Sequence, residues 1–391
     1  MTNLFISILN WVQSFIGSYG WSVIVFTLLI KLVLLPLDVK SRRSMKAMSA
    51  LNPKIEELKK RYANDQQKLN MKTQELYKKS GVNPLSGCLP MLIQLPILYI
   101  MFAAMRRVAA QLQVDIMYAW LRDAGVWKDG AFDLEALETV VASIKDGTVD
   151  FGNTQSWLWI KSVFQPDNFG RTVIPTVSEL TTTWQQYYTN LFPELENLGK
   201  AEGFNALIEM WSTSPEKLPE DFNKLSFLMN YLNLTSLKFS STQIEIPFVE
   251  ANNIASMIDN AIAASVGYQK ASVIGLFNLS IPSSWGRYVN GYCVLPILAC
   301  ATQVLATKLT PGQGETQGQS QGGAGKFMKW LFPIMSLWIC WSSTASFAIY
   351  WVFVNVWSIV SGFAVNYYID HSSPRGKMSR SDKQTKEILQ P

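Results

Sequence analysis

Histidine is almost absent from this 391-residue chain, and cysteine is scarce. The single histidine is His371, which lies beyond the last apolar run. This scarcity argues against a Ser-His-Asp triad and against a multi-histidine metal site. The four cysteines, Cys88, Cys293, Cys300 and Cys340, lie in or beside apolar runs, at spacings that match neither a zinc site nor a disulfide framework. We therefore predict no enzyme, no cofactor and no metal site.

Charge is also scarce, since only 16% of the residues are charged and 48% are apolar. This balance is too apolar for an ordinary soluble domain and too polar for a chain made only of membrane spans. It indicates a polytopic, all-α membrane protein with an aqueous portion. Five stretches of about 20 residues match the hydrocarbon core of a bilayer. They lie at residues 20–38, 85–105, 289–307, 328–345 and 347–369.

The distribution of lysine and arginine predicts the orientation of these spans. Residues 39–80 contain 12 basic and four acidic residues, whereas residues 109–289 contain 11 basic and 20 acidic residues. By the positive-inside rule the first segment is cytoplasmic and the second is external. We therefore expect the N-terminus outside and the C-terminus in the cytoplasm.

The segments outside the spans have distinct patterns. Residues 1–18 form an amphipathic helix in the membrane interface, and a signal peptide is the less favoured alternative. The first two core spans, 19–108, enclose a basic segment, 39–82, whose three-four apolar spacing predicts a helical hairpin. Residues 109–285 are an external insert that we expect to be mainly helical. The last three spans, 286–370, contain a Gly/Gln-rich cytoplasmic linker at 309–327, and residues 371–391 form a basic cytoplasmic tail.

A lysine interrupts the first span near its middle, in the stretch LLIKLVLLPL at residues 28–37. At the centre of a spanning helix a lysine costs roughly 2.5 to 3.5 kcal/mol on insertion scales. Lys31 could avoid part of that cost by extending its amine towards an interface. Its central depth argues against this alternative and favours a functional site.

Four stretches resemble the YidC/Oxa/Alb family of membrane protein insertases and follow that family's order. The sequences are WSVIVFTLLIKLVLLPL, LNPKIEELKKRYANDQQKLNMKTQELYKKSGVNPLSGCLPMLIQLPIL, LPILACATQVLATKL and FAIYWVFVNVWSIV. The chain looks like a Gram-positive-like form of the family with a large external insert. Two stretches could mark the return from that insert to the core: SWLWIKSVFQPDN at 156–168 and LFNLSIPSSW at 276–285. The sequence leaves the choice open.

The resemblance implies a five-helix core around a hydrophilic groove that opens to the cytoplasm and to lipid. In the family a positively charged residue, usually arginine, faces this groove, and Lys31 occupies its position. A lysine keeps the charge but loses the planar fork of a guanidinium. The implied groove residues are Lys31, Thr27, Gln94, Tyr350, Trp351 and Asn355. Thr27 and Gln94 could alternatively bond neighbouring helices, and Trp351 could face lipid.

The function implied by the resemblance is insertion and folding of nascent membrane proteins in the bacterial plasma membrane. The implied partners are nascent chains, the lipid bilayer, the ribosome and the Sec translocon, with no specific nucleic-acid site. Two other classes of protein compete with this hypothesis. An anion transporter or channel would need a path that opens to both sides, and usually shows repeated halves, which the sequence lacks. A membrane-anchored extracytoplasmic binding protein would depend on the external segment.

Overall fold

The computed structural model describes residues 2–81, 89–181, 209, 213, 220–239, 242–245, 253–273, 277–283, 288–309 and 323–372. The chain divides into two compact units, each treated separately below. The first unit comprises Met1–Ser22, Phe102–Leu295 and Cys340–Ala348. The second comprises Val23–Met101, Pro296–Ile339 and Ile349–Pro391.

The helical fold class is confirmed, because helices account for most of the described residues. In chain order they are α1 Thr2–Ile16, α2 Tyr19–Ser49, α3 Asn52–Arg61, α4 Gln66–Lys79, α5 Leu89–Asp123, α6 Leu134–Asp146, α7 Glu220–Leu232, α8 Ile254–Val266, α9 Val294–Leu309, α10 Gly323–Ser342 and α11 Ala345–Ser372. Within the described ranges, Tyr19–Arg61 and Ala345–Tyr368 are long and apolar enough to cross a membrane. Val294–Leu309 and Trp330–Ser342 are shorter apolar helices, so the number of five spans stays a prediction.

Helix α2 continues eleven residues past the expected end of the first span at residue 38. Pro36 lies inside it and does not end it, although proline lacks the N–H that donates to the carbonyl one turn earlier. The residues that follow Pro36 include no glycine and no further proline, so nothing in them stops the helix. The helix therefore extends beyond the predicted membrane span into the basic segment.

Helices α3 and α4 pack against each other in the second unit through the predicted apolar seam. The buried cluster consists of Leu51, Ile55, Leu58, Leu69 and Leu76. Leu51 is the N-cap residue of α3, and a proline lies in its first turn. The Asp65 carboxylate caps α4 by accepting a hydrogen bond from the Lys68 backbone N–H at 2.9 Å.

The first unit has a core built from α5 to α8. Leu121, Leu137, Phe227 and Ile258 are fully buried in it, one from each of these helices. Helices α6, α7 and α8 lie within the segment 109–285, which the sequence predicted to be mainly helical.

The described residues of this unit also include three antiparallel β-hairpins, which the sequence patterns did not reveal. The paired strands are β1 Trp127–Lys128 with β2 Ala131–Phe132, β3 Ser236–Phe239 with β4 Thr242–Glu245, and β5 Tyr268–Val273 with β6 Phe277–Pro282. Strand β6 includes most of LFNLSIP, so this stretch pairs within the hairpin that follows α8.

The stretch SWLWIKSVFQPDN has different surroundings within the same unit. The backbone N–H groups of Ala345 and Ser346, at the start of α11, donate to Gln165 O and Val163 O at 2.9 Å each. The Asp167 side chain accepts from the backbone N–H groups of Tyr292 and Leu295, where α9 begins. Within this unit, residues 156–168 therefore contact the first residues of α9 and α11.

Candidate functional site

The candidate site lies in the second unit, where Lys31 is half-buried on α2. Leu32 and Val33, which follow it, expose 47% and 79% of their surface, so Lys31 borders an apolar exposed face of the helix. Thr27, one turn earlier, is buried, and its hydroxyl donates to the Val23 carbonyl of its own helix at 2.7 Å. The hydrogen of the Thr27 hydroxyl is therefore already used within its own helix.

Helix α11 carries the other predicted side chains in the described part of the site. Tyr350 is buried and Trp351 is half-buried. Asn355 is buried, and its amide donates to the carbonyl of Ala299 at 3.3 Å and to the hydroxyl of Thr302 at 3.2 Å, both on α9. Asn355 thus joins two helices, which is the role that a buried amide plays most often in a helical membrane protein.

Gln94 lies within α5, and its side chain falls outside the described residues. In the described part of the chain, Lys31 makes no hydrogen bond and no ion pair with Thr27, Tyr350, Trp351 or Asn355. Two charged groups on the same helix act on the Lys31 amine: the Asp38 carboxylate attracts it and the Arg42 guanidinium repels it. These two residues were not among the predicted site residues.

Arg42 is a buried charged residue that was not predicted to belong to this site. It is 4% exposed, and its hydrogen bonds connect α2 with α11. Its Nε donates to Asp38 Oδ2 at 3.0 Å on α2. Its Nη2 donates to the Ser358 carbonyl at 3.1 Å and to the Ser361 hydroxyl at 3.3 Å on α11. A buried guanidinium needs this number of partners, since an unpaired buried charge is very costly.

The sequence contained a signal that could have found this pair. Asp38 and Arg42 are four residues apart, and they follow Lys31 by seven and eleven residues. At 3.6 residues per turn these spacings put all three charges on one stripe of the helix. The positive-inside count treated Arg42 as part of a solvated basic segment, and this concealed its burial.

The described residues contain no group of three or more histidine, cysteine, aspartate or glutamate side chains that could hold a metal ion. The arrangement around Lys31 is instead one of charge and hydrogen-bonding groups on apolar helices. Such an arrangement can attract an acidic group but contains no described nucleophile and base in contact.

Comparison with known proteins gives matches over most of the chain. The family model described as 60Kd inner membrane protein matches residues 11–210 and 248–372. A membrane protein insertase YidC from Fusobacterium nucleatum is 40% identical over 156 residues, which are 39% of this chain and 74% of that protein.

Two further relatives have the same printed name. The protein from Campylobacter jejuni is 41% identical over 118 residues, which are 30% of this chain and 22% of that protein. The protein from Ruthia magnifica is 53% identical over 90 residues, which are 23% of this chain and 17% of that protein. The chain therefore matches about a fifth of the length of these two relatives.

Proposed function

The chain belongs to the 60Kd inner membrane protein family, the YidC/Oxa/Alb family of insertases, and from this membership we propose that it inserts nascent membrane proteins into the bacterial plasma membrane. Supporting observations are the relatives named membrane protein insertase and the apolar helices Tyr19–Ser49 and Ala345–Ser372. The observation that carries the proposal is Lys31, a half-buried amine within an apolar spanning helix.

The main barrier to insertion is the desolvation of polar groups in the external tail of the inserted protein. Such groups lose their hydrogen bonds with water when they enter hydrocarbon. A hydrophilic groove that opens to the cytoplasm and to lipid shortens the dry part of this path. We propose that Lys31, Thr27, Gln94, Tyr350, Trp351 and Asn355 line this groove.

Lys31 would act as a temporary partner for acidic groups in that tail. Because a half-buried site on an apolar helix has a lower effective dielectric constant than water, the attraction of Lys31 for a carboxylate is stronger there than in bulk water. The inserted apolar segment then moves sideways into lipid. Transfer of about 20 apolar residues, at several tenths of a kcal/mol each, can drive this step without a nucleotide.

The partners follow from the same mechanism. The substrates are nascent membrane proteins and the surrounding medium is the lipid bilayer. We propose that the ribosome and the Sec translocon deliver some of these substrates, and that the chain also assists folding as a chaperone. No chemical bond is made or broken, so the function is not enzymatic.

The test is rescue of a bacterial host depleted of its own insertase. The intact chain, Lys31→Ala, Lys31→Arg and a matched control, Lys40→Ala, are expressed at equal levels and insertion of a single-span substrate is measured. Lys40 lies on the same helix and is exposed. We expect the intact chain, Lys31→Arg and Lys40→Ala to rescue insertion and Lys31→Ala to be impaired. If the intact chain inserts no single-span substrate, the proposed function is wrong.

A further inference from the structure

Three charged residues form one stripe on α2 in the second unit. Asp38 follows Lys31 by two helical turns, which is about 10 Å along the axis, and Arg42 follows Asp38 by one turn. The Asp38 side chain is 28% exposed, so it is neither fixed by close packing nor fully solvated. It is the carboxylate that interacts electrostatically with Lys31.

Asp38 does not form an ion pair with Lys31 in the structure, since its Oδ2 accepts from Arg42 Nε at 3.0 Å. Arg42 in turn is held by the Ser358 carbonyl and the Ser361 hydroxyl on α11. The guanidinium fork can satisfy both helices at once because its N–H groups point in fixed, different directions.

The Arg42 contacts keep the Asp38 carboxylate away from the Lys31 amine. Because each Cα–Cβ bond of a helix tilts towards the N-terminus, the Asp38 side chain leans along the stripe in the direction of Lys31. Without Arg42, Asp38 has Lys31 as its nearest remaining cation on that stripe. If Asp38 approached Lys31, the two would form an ion pair, and the positive charge that the proposed function requires would no longer be available to a substrate.

We propose that Arg42 is a positioning residue that holds Asp38 towards α11, so that the Lys31 amine keeps its positive charge available for acidic groups of an incoming chain. The inference rests on the proposed function and assigns a role to a pair outside the predicted groove residues. Arg42 does not touch the substrate in this mechanism, and Asp38 is a competing counter-ion rather than a binding group.

The experiment compares two single-span substrates that differ only in their external tail, one with acidic residues and one with the corresponding amides. Insertion of each is measured in the depleted host with the intact chain, Arg42→Met, Asp38→Asn and the double variant. Methionine fills a buried arginine site without leaving a charge. The readout is the ratio of acidic-tail to amide-tail insertion, which a general loss of stability does not change.

With Arg42→Met we expect the ratio to fall by about two- to fivefold, the range that a partly exposed ion pair supplies. With Asp38→Asn the ratio should equal or exceed that of the intact chain. The double variant should have a higher ratio than Arg42→Met, close to that of the intact chain. Equal loss for both substrates with Arg42→Met, or no recovery in the double variant, overturns the proposal.

Two further outcomes keep this test separate from that of the insertase function. If the intact chain inserts neither substrate, the proposed function fails, whereas insertion of both with an unchanged ratio in Arg42→Met overturns only the role of Arg42. If Arg42→Met does not accumulate in the membrane, Arg42→Lys replaces it. A lysine lacks the guanidinium fork that binds Asp38 and α11 together. The insertion ratio of Arg42→Lys should therefore fall, by a smaller factor than that expected for Arg42→Met. An unchanged ratio in Arg42→Lys overturns the proposal.

Discussion

The buried carboxyl group of Asp167 accepts a hydrogen bond from the backbone N–H of Leu295 at 2.7 Å, although 128 residues separate the two in sequence. The Trp159 indole N–H donates to the same oxygen, Oδ2, at 3.3 Å, and the other oxygen, Oδ1, accepts from the Tyr292 backbone N–H at 2.9 Å. Asp167 therefore caps the beginning of α9 from a distant loop, where unpaired N–H groups and the helix dipole favour an acidic partner.

Replacing Asp167 with alanine should destabilise the first unit by about 2 to 4 kcal/mol, because two buried backbone N–H groups lose their acceptor. Asp167→Asn keeps one acceptor oxygen and should lose roughly half as much. Thermal denaturation of the purified chain in detergent measures both effects. Asp146→Ala, at an exposed position, is the control and should change the melting temperature little. A melting temperature for Asp167→Ala equal to that of the control would contradict the capping role.

Gly291→Ala should disturb the same contact, because an added Cβ would lie 1.9 Å from Asp167 Oδ1 and 3.1 Å from its Cα. The second distance involves backbone, which cannot move as easily as a side chain. Gly152→Ala is the matched control, since it meets nothing within 4 Å and has only the strain of a φ of +69°. We expect a larger drop in melting temperature for Gly291→Ala than for Gly152→Ala. Equal drops in melting temperature would mean that the close contact between Asp167 and Gly291 does not contribute to stability.

Leu58→Ala should loosen the packing of α3 on α4 in the second unit. Leu58 is 3% exposed in the small cluster between these helices, and truncation of a buried leucine costs about 2 to 4 kcal/mol. The small cluster has few other contacts to compensate for that loss. Hydrogen exchange should therefore accelerate for the amides of both helices. Met71→Ala, at a side chain that is 64% exposed, should leave exchange unchanged; acceleration by both variants would contradict the role of the cluster.

The stability of the first unit should depend on pH through Asp259. Burial raises the pKa of this carboxyl, the hydrogen bond from the Val177 N–H acts in the opposite direction, and the charge of Glu179 raises it further. As pH rises past about 4, the unfolded chain releases its proton first. The contribution of Asp259 to stability is therefore lost between the ordinary pKa and the raised pKa of the folded state.

Asp259→Asn removes this penalty and keeps an acceptor oxygen for the Val177 N–H. The variant should melt at a higher temperature than the intact chain at pH 7, and the difference should shrink as the pH falls below about 4. Melting curves across this range, with Asp146→Asn at an exposed position as control, measure the effect. A difference that is constant with pH would exclude titration of Asp259 as its cause.

Sequence patterns were most informative where the physical requirement is local. The apolar runs at residues 20–38, 85–105, 289–307, 328–345 and 347–369 predicted helices, because a membrane requires about 20 apolar residues with internally satisfied hydrogen bonds. Helices α2, α5, α9, α10 and α11 lie along these runs. The seam from Leu51 to Leu76 was found by its spacing, and its residues are buried as a helical repeat requires. Helix α2 extends beyond its predicted membrane span to Ser49.

The candidate site was only partly accessible to the same reasoning. Lys31 is conspicuous because a single charge interrupts an apolar run, and the family resemblance gave it a role. Asn355 was identified as a polar residue in a span, but its bonds to α9 depend on which helices are neighbours. Arg42 was placed in a solvated segment, and only its contacts with Ser358 and Ser361 reveal that it is buried.

The sequence by itself determined the helical class, the apolar segments and the basic hairpin, because these depend on composition and on spacings within a few turns. The family was indicated by the resemblance of four stretches. The tertiary structure decided which polar groups satisfy one another: Asp167 with the start of α9, Asn355 with Thr302, and Arg42 with Asp38 and α11. The reason is that a buried polar group must find a partner wherever the fold brings one, and these partners are up to 319 residues away. No local pattern encodes that distance.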